Sequence, residues 1–312
     1  MKDNSLEDRL YGSLLGTVMA DALGSTFEGL EADTLRRRFE KPVDALGYAL
    51  KRESQRYTDD GQMTLALSEY LTKNEVIDSQ DLMREFVLAY ESWRGYGRGA
   101  RMVIEAFRDS AEYEHVVQHL FPGGSYGNGA AMRSAPVGLR YSGQTEMIAE
   151  QAKLSAWPTH RHELAIDGAI LIAQAASLAL SDKEVSPASL AEALLPCCST
   201  IVFEKRLEAL REAKSPDDLD PLGNGIEAHE SVVTALGCFA FHPERFQEAI
   251  ACAIWRGGDT DTIGAMAGAL VGARVGSDVE AGMPLDRLED GKPFLEYLRE
   301  LAGRMASCVS IE

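Results

Sequence analysis

The chain has 312 residues, enough for one large domain or two of ordinary size. Hydrophobic residues make up 45% and charged residues 26%, a globular mix that excludes collagen-like, disordered and membrane-spanning classes. Lys and Arg number 31 against 49 Asp and Glu, and a net charge of -18 repels polyanions, so no nucleic acid binding and no membrane docking are expected.

The amino terminus, Met1 to Asp8, lacks the apolar run of a signal peptide, so a cytoplasmic protein is expected. The cysteines, Cys197, Cys198, Cys238, Cys252 and Cys308, contain no C-x-x-C and read as buried free thiols. Periodicity is helical nearly throughout. Ser5 with Asp8 three residues on forms a capping-box pattern, and Leu6, Leu10, Leu14 and Val18 recur every four residues behind it. Gly12, Ser13, Gly16 and Ala20 give this first helix a small-residue side. It leads into a loop whose acids are Asp21 and Glu28, the latter in partly apolar surroundings and readable equally as an acid or base with a raised pKa or as a simple exposed loop carboxylate. Further helices are predicted over 61–72, 80–93, 98–109, 129–139, 144–155, 162–180, 188–198, 202–213, 227–241, 243–254, 261–275 and 293–307. Alternating strands are missing, so the class is all-α.

Four segments carry candidate chemistry. Thr58-Asp59-Asp60 opens a helix, where acids also complement the helix dipole. Gly124-Ser125-Tyr126-Gly127-Asn128-Gly129 precedes Ala130-Ala131-Met132-Arg133, and such a glycine-rich turn before a helix reads either as a plain flexible turn or as backbone N–H groups left free for phosphate. It is not a Walker loop, because no Gly-Lys-Ser/Thr follows. Thr159-His160-Arg161-His162-Glu163 opens another helix, with His160 a donor candidate; a zinc motif fails because Ile166 stands where a second histidine is needed. His115 and His119 lie four apart and read as solvated. The polar stretch 212–225 reads as a loop. Finally, Gly258-Asp259-Thr260-Asp261-Thr262 opens a helix in which Gly264, Gly268 and Gly272 repeat every four residues, a pattern for close helix packing. Leu270 stands where an EF-hand needs its glutamate, so that reading is rejected. Two oxygen-rich helix starts suggest one shared cation site. Their hard ligands suit Mg²⁺, Mn²⁺ or Ca²⁺, and four aspartates match two divalent ions.

Together, Asp21-Ala22-Leu23-Gly24, Glu28, Thr58-Asp59-Asp60, Gly127 to Arg133, Thr159-His160 and Gly258 to Thr262 resemble the ADP-ribosylglycohydrolase family, in family order over residues 10–275. The Gly124 to Gly129 tract looks most like its ADP-ribosylserine hydrolase branch. The resemblance implies a compact single-domain orthogonal helical bundle over 1–312, with a binuclear metal site at helix N-termini. It implies two Mg²⁺ (or Mn²⁺) held by Thr58, Asp59, Asp60, Asp259, Asp261 and Thr262. Glu28 and Asp60 would be catalytic; Gly124, Ser125, Tyr126, Gly127, Asn128, Gly129 and His160 would bind substrate. That substrate would be an ADP-ribosylated protein or an ADP-ribose-containing small molecule. A departure is Gly61, where many relatives have Thr; a looser helix start is its expected consequence. A monomer is expected. The alternative is a non-catalytic ADP-ribose binder or a structural protein on the same fold.

Overall fold

Ser5 caps the first helix, its hydroxyl accepting from the Asp8 amide at 3.2 Å, and α1 runs Leu6–Gly24. The computed structural model describes residues 5–109, 113–181 and 183–309. Short helices α2 (Ala32–Arg38) and α3 (Pro42–Ala49) follow, then α4 (Asp59–Leu71), α5 (Ser79–Ala89), α6 (Arg98–Arg108) and α7 (Tyr113–Leu120). The middle of the chain forms α8 (Ala135–Arg140), α9 (Thr145–Ala156), α10 (Glu163–Ala179), α11 (Pro187–Leu194) and α12 (Ile201–Glu212). The last part forms α13 (Ala228–Phe241), α14 (Phe246–Trp255), α15 (Thr260–Val275) and α16 (Gly291–Cys308). Among the described residues there are two isolated bridges and no strand, so the fold is all-α. No helix there is long and apolar enough to cross a membrane.

The architecture is built around α1 and α15, which lie antiparallel with their backbones in contact. A Cβ on Gly16 would sit 2.3 Å from the carbonyl oxygen of Gly268, and one on Gly268 would sit 2.3 Å from that of Gly16. Gly12 meets Gly272 and Gly24 meets Thr260 in the same way, at 2.4 Å from each carbonyl oxygen. The small residues of both helices are therefore spent on one seam. Around it, α13 and α14 pack on α15, while α4 and α16 pack on α1. Both seam helices are buried along almost their whole length, which is why neither shows an amphipathic stripe.

We expect Gly268→Val to lower stability by about 3 kcal/mol, since overpacking against backbone has no side chain to give way. Gly47→Ala is the control. Its Cβ would meet nothing within 4 Å inside α3, so it should gain up to about 1 kcal/mol. Thermal melts of the two variants check both.

Several expectations need correction. The helix predicted over 129–139 is a 3-10 turn, Asn128–Ala130, followed by α8; Pro136 lacks the N–H that a continuous helix would use. The helix predicted over 80–93 ends at Ala89, and the chain then turns through Gly95 at φ 90°. The helix predicted over 188–198 gives way to a 3-10 turn at Leu195–Cys197, where Pro196 interrupts it. The stretch 212–225 is not all loop, because Ser215 and Asp218 box-cap a 3-10 segment, Pro216–Leu222. Helices α2, α3 and α7 were not foreseen. Of the five thiols only Cys238 and Cys252 are buried, with their sulfurs 3.4 Å apart.

Candidate active site

The seam delivers Asp21, in the last turn of α1, beside the first turn of α15. Asp21 is fully buried, and its Oδ2 accepts from the Thr58 amide at 2.8 Å and the Gly61 amide at 2.9 Å. A residue of one helix thus caps the start of another, α4. This ties down the position expected to be loose. A Cβ at Gly61 would lie 2.8 Å from the Tyr57 ring and 3.1 Å from that Asp21 oxygen, so glycine keeps the approach close. Thr58 is the N-cap of α4, and its hydroxyl lies 3.1 Å from Asp60 Oδ2. Thr262 approaches the same oxygen at 3.4 Å from α15.

Glu28 is brought in by backbone pairing. The Gly29 amide donates to Gly258 O and the Gly258 amide to Leu30 O, both at 2.8 Å. Gly257 and Gly258 take left-handed φ values of 67° and 69°, and a Cβ on either would strike neighbouring backbone within 2.5 Å. Thr260 adds a bond from its hydroxyl to Gly24 O at 2.8 Å, fastening the start of α15 to the end of α1.

Two acid clusters result. Asp21, Asp60 and Asp261 offer carboxylate oxygens within 4.8 Å of one another, and Glu28, Asp259 and Asp261 do the same. Asp261 belongs to both. Asp59 belongs to neither; its carboxylate faces Gly95, and its amide donates to Arg94 O at 2.9 Å. The centre therefore differs from a site made only of helix N-termini. Asp60, Asp259 and Asp261 fit that description, while Asp21 closes a helix and Glu28 is on a loop.

Crowding leaves a clear electrostatic mark. Burial pushes Asp21 and Asp59 up to about 7. Asp60 and Asp261 are raised further, first by burial and then by the neighbouring aspartates. Asp259 is raised chiefly by burial. Glu28 is exposed on its outer side, but its carboxyl turns toward Asp259 and Asp261, and lost hydration plus the Asp259 charge raise it as well. Arg94, the buried cation whose charge acts on Asp21, is already committed to Glu289 at 3.0 Å and Glu91 at 2.6 Å. Asp21 Oδ1 and Asp60 Oδ1 are buried without any hydrogen-bond partner.

The glycine loop reaches these acids from one side. Asn128 donates to Asp259 Oδ2 and, at 3.0 Å, to Ser231. The Gly124 amide closes a turn on Phe121 O at 2.8 Å, and the Asn128 amide donates to Ile226 O at 2.9 Å. The intervening amides of Ser125 and Tyr126 have no acceptor among the described residues. The Ser125 hydroxyl accepts from the Gly127 amide at 3.3 Å. Phe121 and Tyr126, 37% and 47% exposed, flank the loop, the first ring against Gly99 and the second edge-on to His162 at 5.6 Å. A Cβ on Gly129 would lie 2.8 Å from the His160 ring, so glycine is needed there. His160 is buried and its pKa falls to about 3, through burial and then the charge of Arg133. Arg133 is fully buried and donates to Thr159 Oγ1 at 2.9 Å; that hydroxyl lies 2.7 Å from His160 Nδ1. Nδ1 is the only acceptor within reach of the Thr159 hydroxyl proton among the described residues, so the hydroxyl donates to it and the imidazole proton lies on Nε2. Nε2 is the atom facing Gly127, 3.4 Å from where a Cβ would be.

Sequence reasoning placed the acids of α4 and α15, Glu28, the glycine loop and His160 near one another, and the fold brings them together. It did not assign Asp21 to the acid centre, nor Arg133 and Arg94 to its support. Asp21 carried one usable signal, a carboxylate in the final turn of an otherwise apolar and small-residue helix. His115 and His119 are exposed on α7, as expected.

The geometry defines a class, a helical protein with a pair of acid clusters joined through one aspartate and overlooked by a glycine loop. Comparison with known proteins gives the class its family. The ADP-ribosylglycohydrolase family profile matches residues 2–309, and the chain belongs to that family of hydrolases. It is 35% identical to the ADP-ribosylhydrolase ARH3 of Xenopus tropicalis, over 86% of this chain and 88% of that protein. The Homo sapiens ADP-ribosylhydrolase ARH3 is 32% identical over 86% of each chain. A solved structure described as an ADP-ribosylglycohydrolase-related protein complex shares the fold, with TM-score 0.73 and 24% identity over 98% of this chain and 99% of that one.

Proposed function

We propose that this chain is a metal-dependent hydrolase that cuts the glycosidic bond between ADP-ribose and a protein side chain or an O-acetyl group, with serine linkages favoured over arginine. The observation carrying this reading is the pair of acid clusters sharing Asp261, with buried oxygens of Asp21 and Asp60 left without partners. So many carboxylates in one buried place call for positive charge, and their hard oxygens fit Mg²⁺ or Mn²⁺. Asp21, Asp60 and Asp261 would hold one ion and Glu28, Asp259 and Asp261 the other, with Thr58, Asp59 and Thr262 adding oxygens at the edge. When bound, two such ions supply Lewis-acid charge for ribose hydroxyls and a nearby water.

The chain's own residues do the rest. The free amides of Ser125 and Tyr126 receive the diphosphate, and His160, kept neutral, donates from Nε2 on the same side. Phe121 and Tyr126 offer faces on which the adenine stacks. Asn128, fixed by Ser231 and Asp259, lines the route from loop to acid centre. Positive charge growing on the ribose as the bond breaks is stabilised by Asp60 and Glu28. Glu28, a carboxylate when the ions are bound, takes the proton from the water as that water's oxygen bonds to the anomeric carbon and passes it to the departing oxygen as the glycosidic bond breaks. We further read residues 1–312 as one cooperative unit acting as a cytoplasmic monomer. The seam of α1 and α15 joins distant parts of the chain, and a single transition moving as a whole in the Gly268→Val melt tests the unit.

The deciding assay presents serine-, arginine- and O-acetyl-linked ADP-ribose with Mg²⁺ and with chelator. Release of free ADP-ribose from the serine conjugate, lost with chelator, is expected. Turnover of generic phosphoesters with every ADP-ribosyl bond left intact would refute the proposal, and binding without release would mark a non-catalytic relative.

A further inference from the structure

We propose that a cleft between the end of α1 and the 52–56 segment is an anion subsite for the leaving group, taking a carboxylate or phosphate that the acceptor carries beside the bond to be cut. This rests on the hydrolase reading above and names a property of the acceptor.

The cleft holds about 310 Å³ and is lined by Ala22, Ser25, Arg52, Ser54 and Arg56. Its place in the fold is what matters. Ala22 follows Asp21 directly, and Arg56 stands two residues before Thr58. Arg52 donates to Thr26 Oγ1 at 3.0 Å, two residues before Glu28. Arg56 rests over the exposed ring of Trp93 at 5.8 Å, and Trp93 leads through Arg94 to Gly95, which faces Asp59. Ser25, one helical turn beyond Asp21, puts the cleft on the Asp21 side of α1, and Arg56 belongs to the segment that leads into Thr58. The glycine loop adjoins the acid centre through Asp259. If the ADP-ribosyl diphosphate lies along the loop, the group that departs lies toward the arginines.

Charge supports the assignment. This chain carries 49 acids and 31 Lys and Arg; exposed Arg84, Arg101 and Arg304 are paired with carboxylates, while Arg37, Arg38 and Arg98 have no ion pair among the described residues but line no cleft with a second arginine. Arg52 and Arg56 make no ion pair among the described residues. Arg287, which comes up beneath the same segment, donates only to the backbone carbonyls of Leu50 and Arg52, at 3.2 and 3.4 Å. Two guanidinium groups without an acid therefore line the cleft, and a third is held against the backbone of the same segment. A guanidinium fork matches carboxylate or phosphate oxygens, and a surface otherwise negative repels an anionic acceptor from other approaches.

The test compares three substrates with the same ADP-ribosyl group: a serine peptide flanked by aspartates, the same peptide flanked by glycines, and the phosphate ester of ADP-ribose at its anomeric carbon. The wild-type protein should favour at least one anionic substrate over the glycine-flanked peptide by about tenfold in kcat/KM, mostly through KM. In the double variant Arg52→Gln, Arg56→Gln, both exposed positions, that preference should fall below about twofold. A preference for the aspartate peptide assigns the subsite to protein acceptors, and one for the phosphate ester alone assigns it to small molecules. Equal rates on all three, or a preference that survives the double variant, overturn the inference. Should no conjugate be cleaved, the hydrolase reading fails by itself, and inorganic phosphate then tests the cleft directly. Saturable shifts of arginine side-chain NMR signals that vanish in the double variant support the subsite; their absence in the wild type overturns it.

Discussion

Asp261→Asn should cost about 10³-fold or more in kcat/KM for ADP-ribosyl hydrolysis, while the protein stays folded. Asp261 is the one carboxylate common to both acid clusters, so a single neutral amide weakens both at once. The same change removes a buried like charge from a crowded centre, so the thermal midpoint in chelator should rise. Lost activity with gained stability separates a working residue from a merely structural one. Asp59→Asn should cost less, because Asp59 stands outside both clusters beside Gly95. Steady-state rates and melts of the two variants check the ordering; wild-type rates in Asp261→Asn would remove the basis of the mechanism.

Metal and pH should act on stability together. Each clustered acid has a folded pKa above its unfolded value, so the folded protein holds protons that the unfolded chain has released. By linkage, metal-free protein loses stability as pH rises from the ordinary carboxylate range near 3.8 through about 7, the value to which Asp21 and Asp59 are pushed. Asp60 and Asp261 extend the loss above that window. Divalent cations bind the deprotonated carboxylates and oppose the loss. Added Mg²⁺ should therefore raise the thermal midpoint by about 5 °C at pH 8, where binding is strong, and by much less at pH 5. Melts at both pH values, with Mg²⁺ and with chelator, give the answer; a midpoint indifferent to the ion at pH 8 would count against a cation site.

Residues whose partners are near in sequence were the readable ones. Ser5 and Asp8 announce α1 through a local cap, and Thr58 announces α4 in the same way. The glycines of α1 and α15 announce a close helix contact, because glycine inside a helix needs such a reason. What they do not announce is each other, and the pairing of Gly16 with Gly268 is visible only in the fold. Asp21 escaped assignment for a similar reason. Its amide partners lie 37 and 40 residues away, and its fellow acid Asp261 lies on the opposite seam helix. Helices α2, α3 and α7 span only seven or eight residues, two turns that show no clear period. Arg133 looked like an ordinary charge; its burial against Phe86 and Thr159 depends on packing that no local pattern encodes.

The α1–α15 seam also dictates when the protein can begin to work. Asp21 leaves the ribosome about 240 residues ahead of Asp261. Until then α1 has no glycine surface to settle against, and the Asp21 carboxylate lacks the neighbours that complete the reactive centre. A nascent chain therefore cannot assemble the paired acid clusters until α15 has been made.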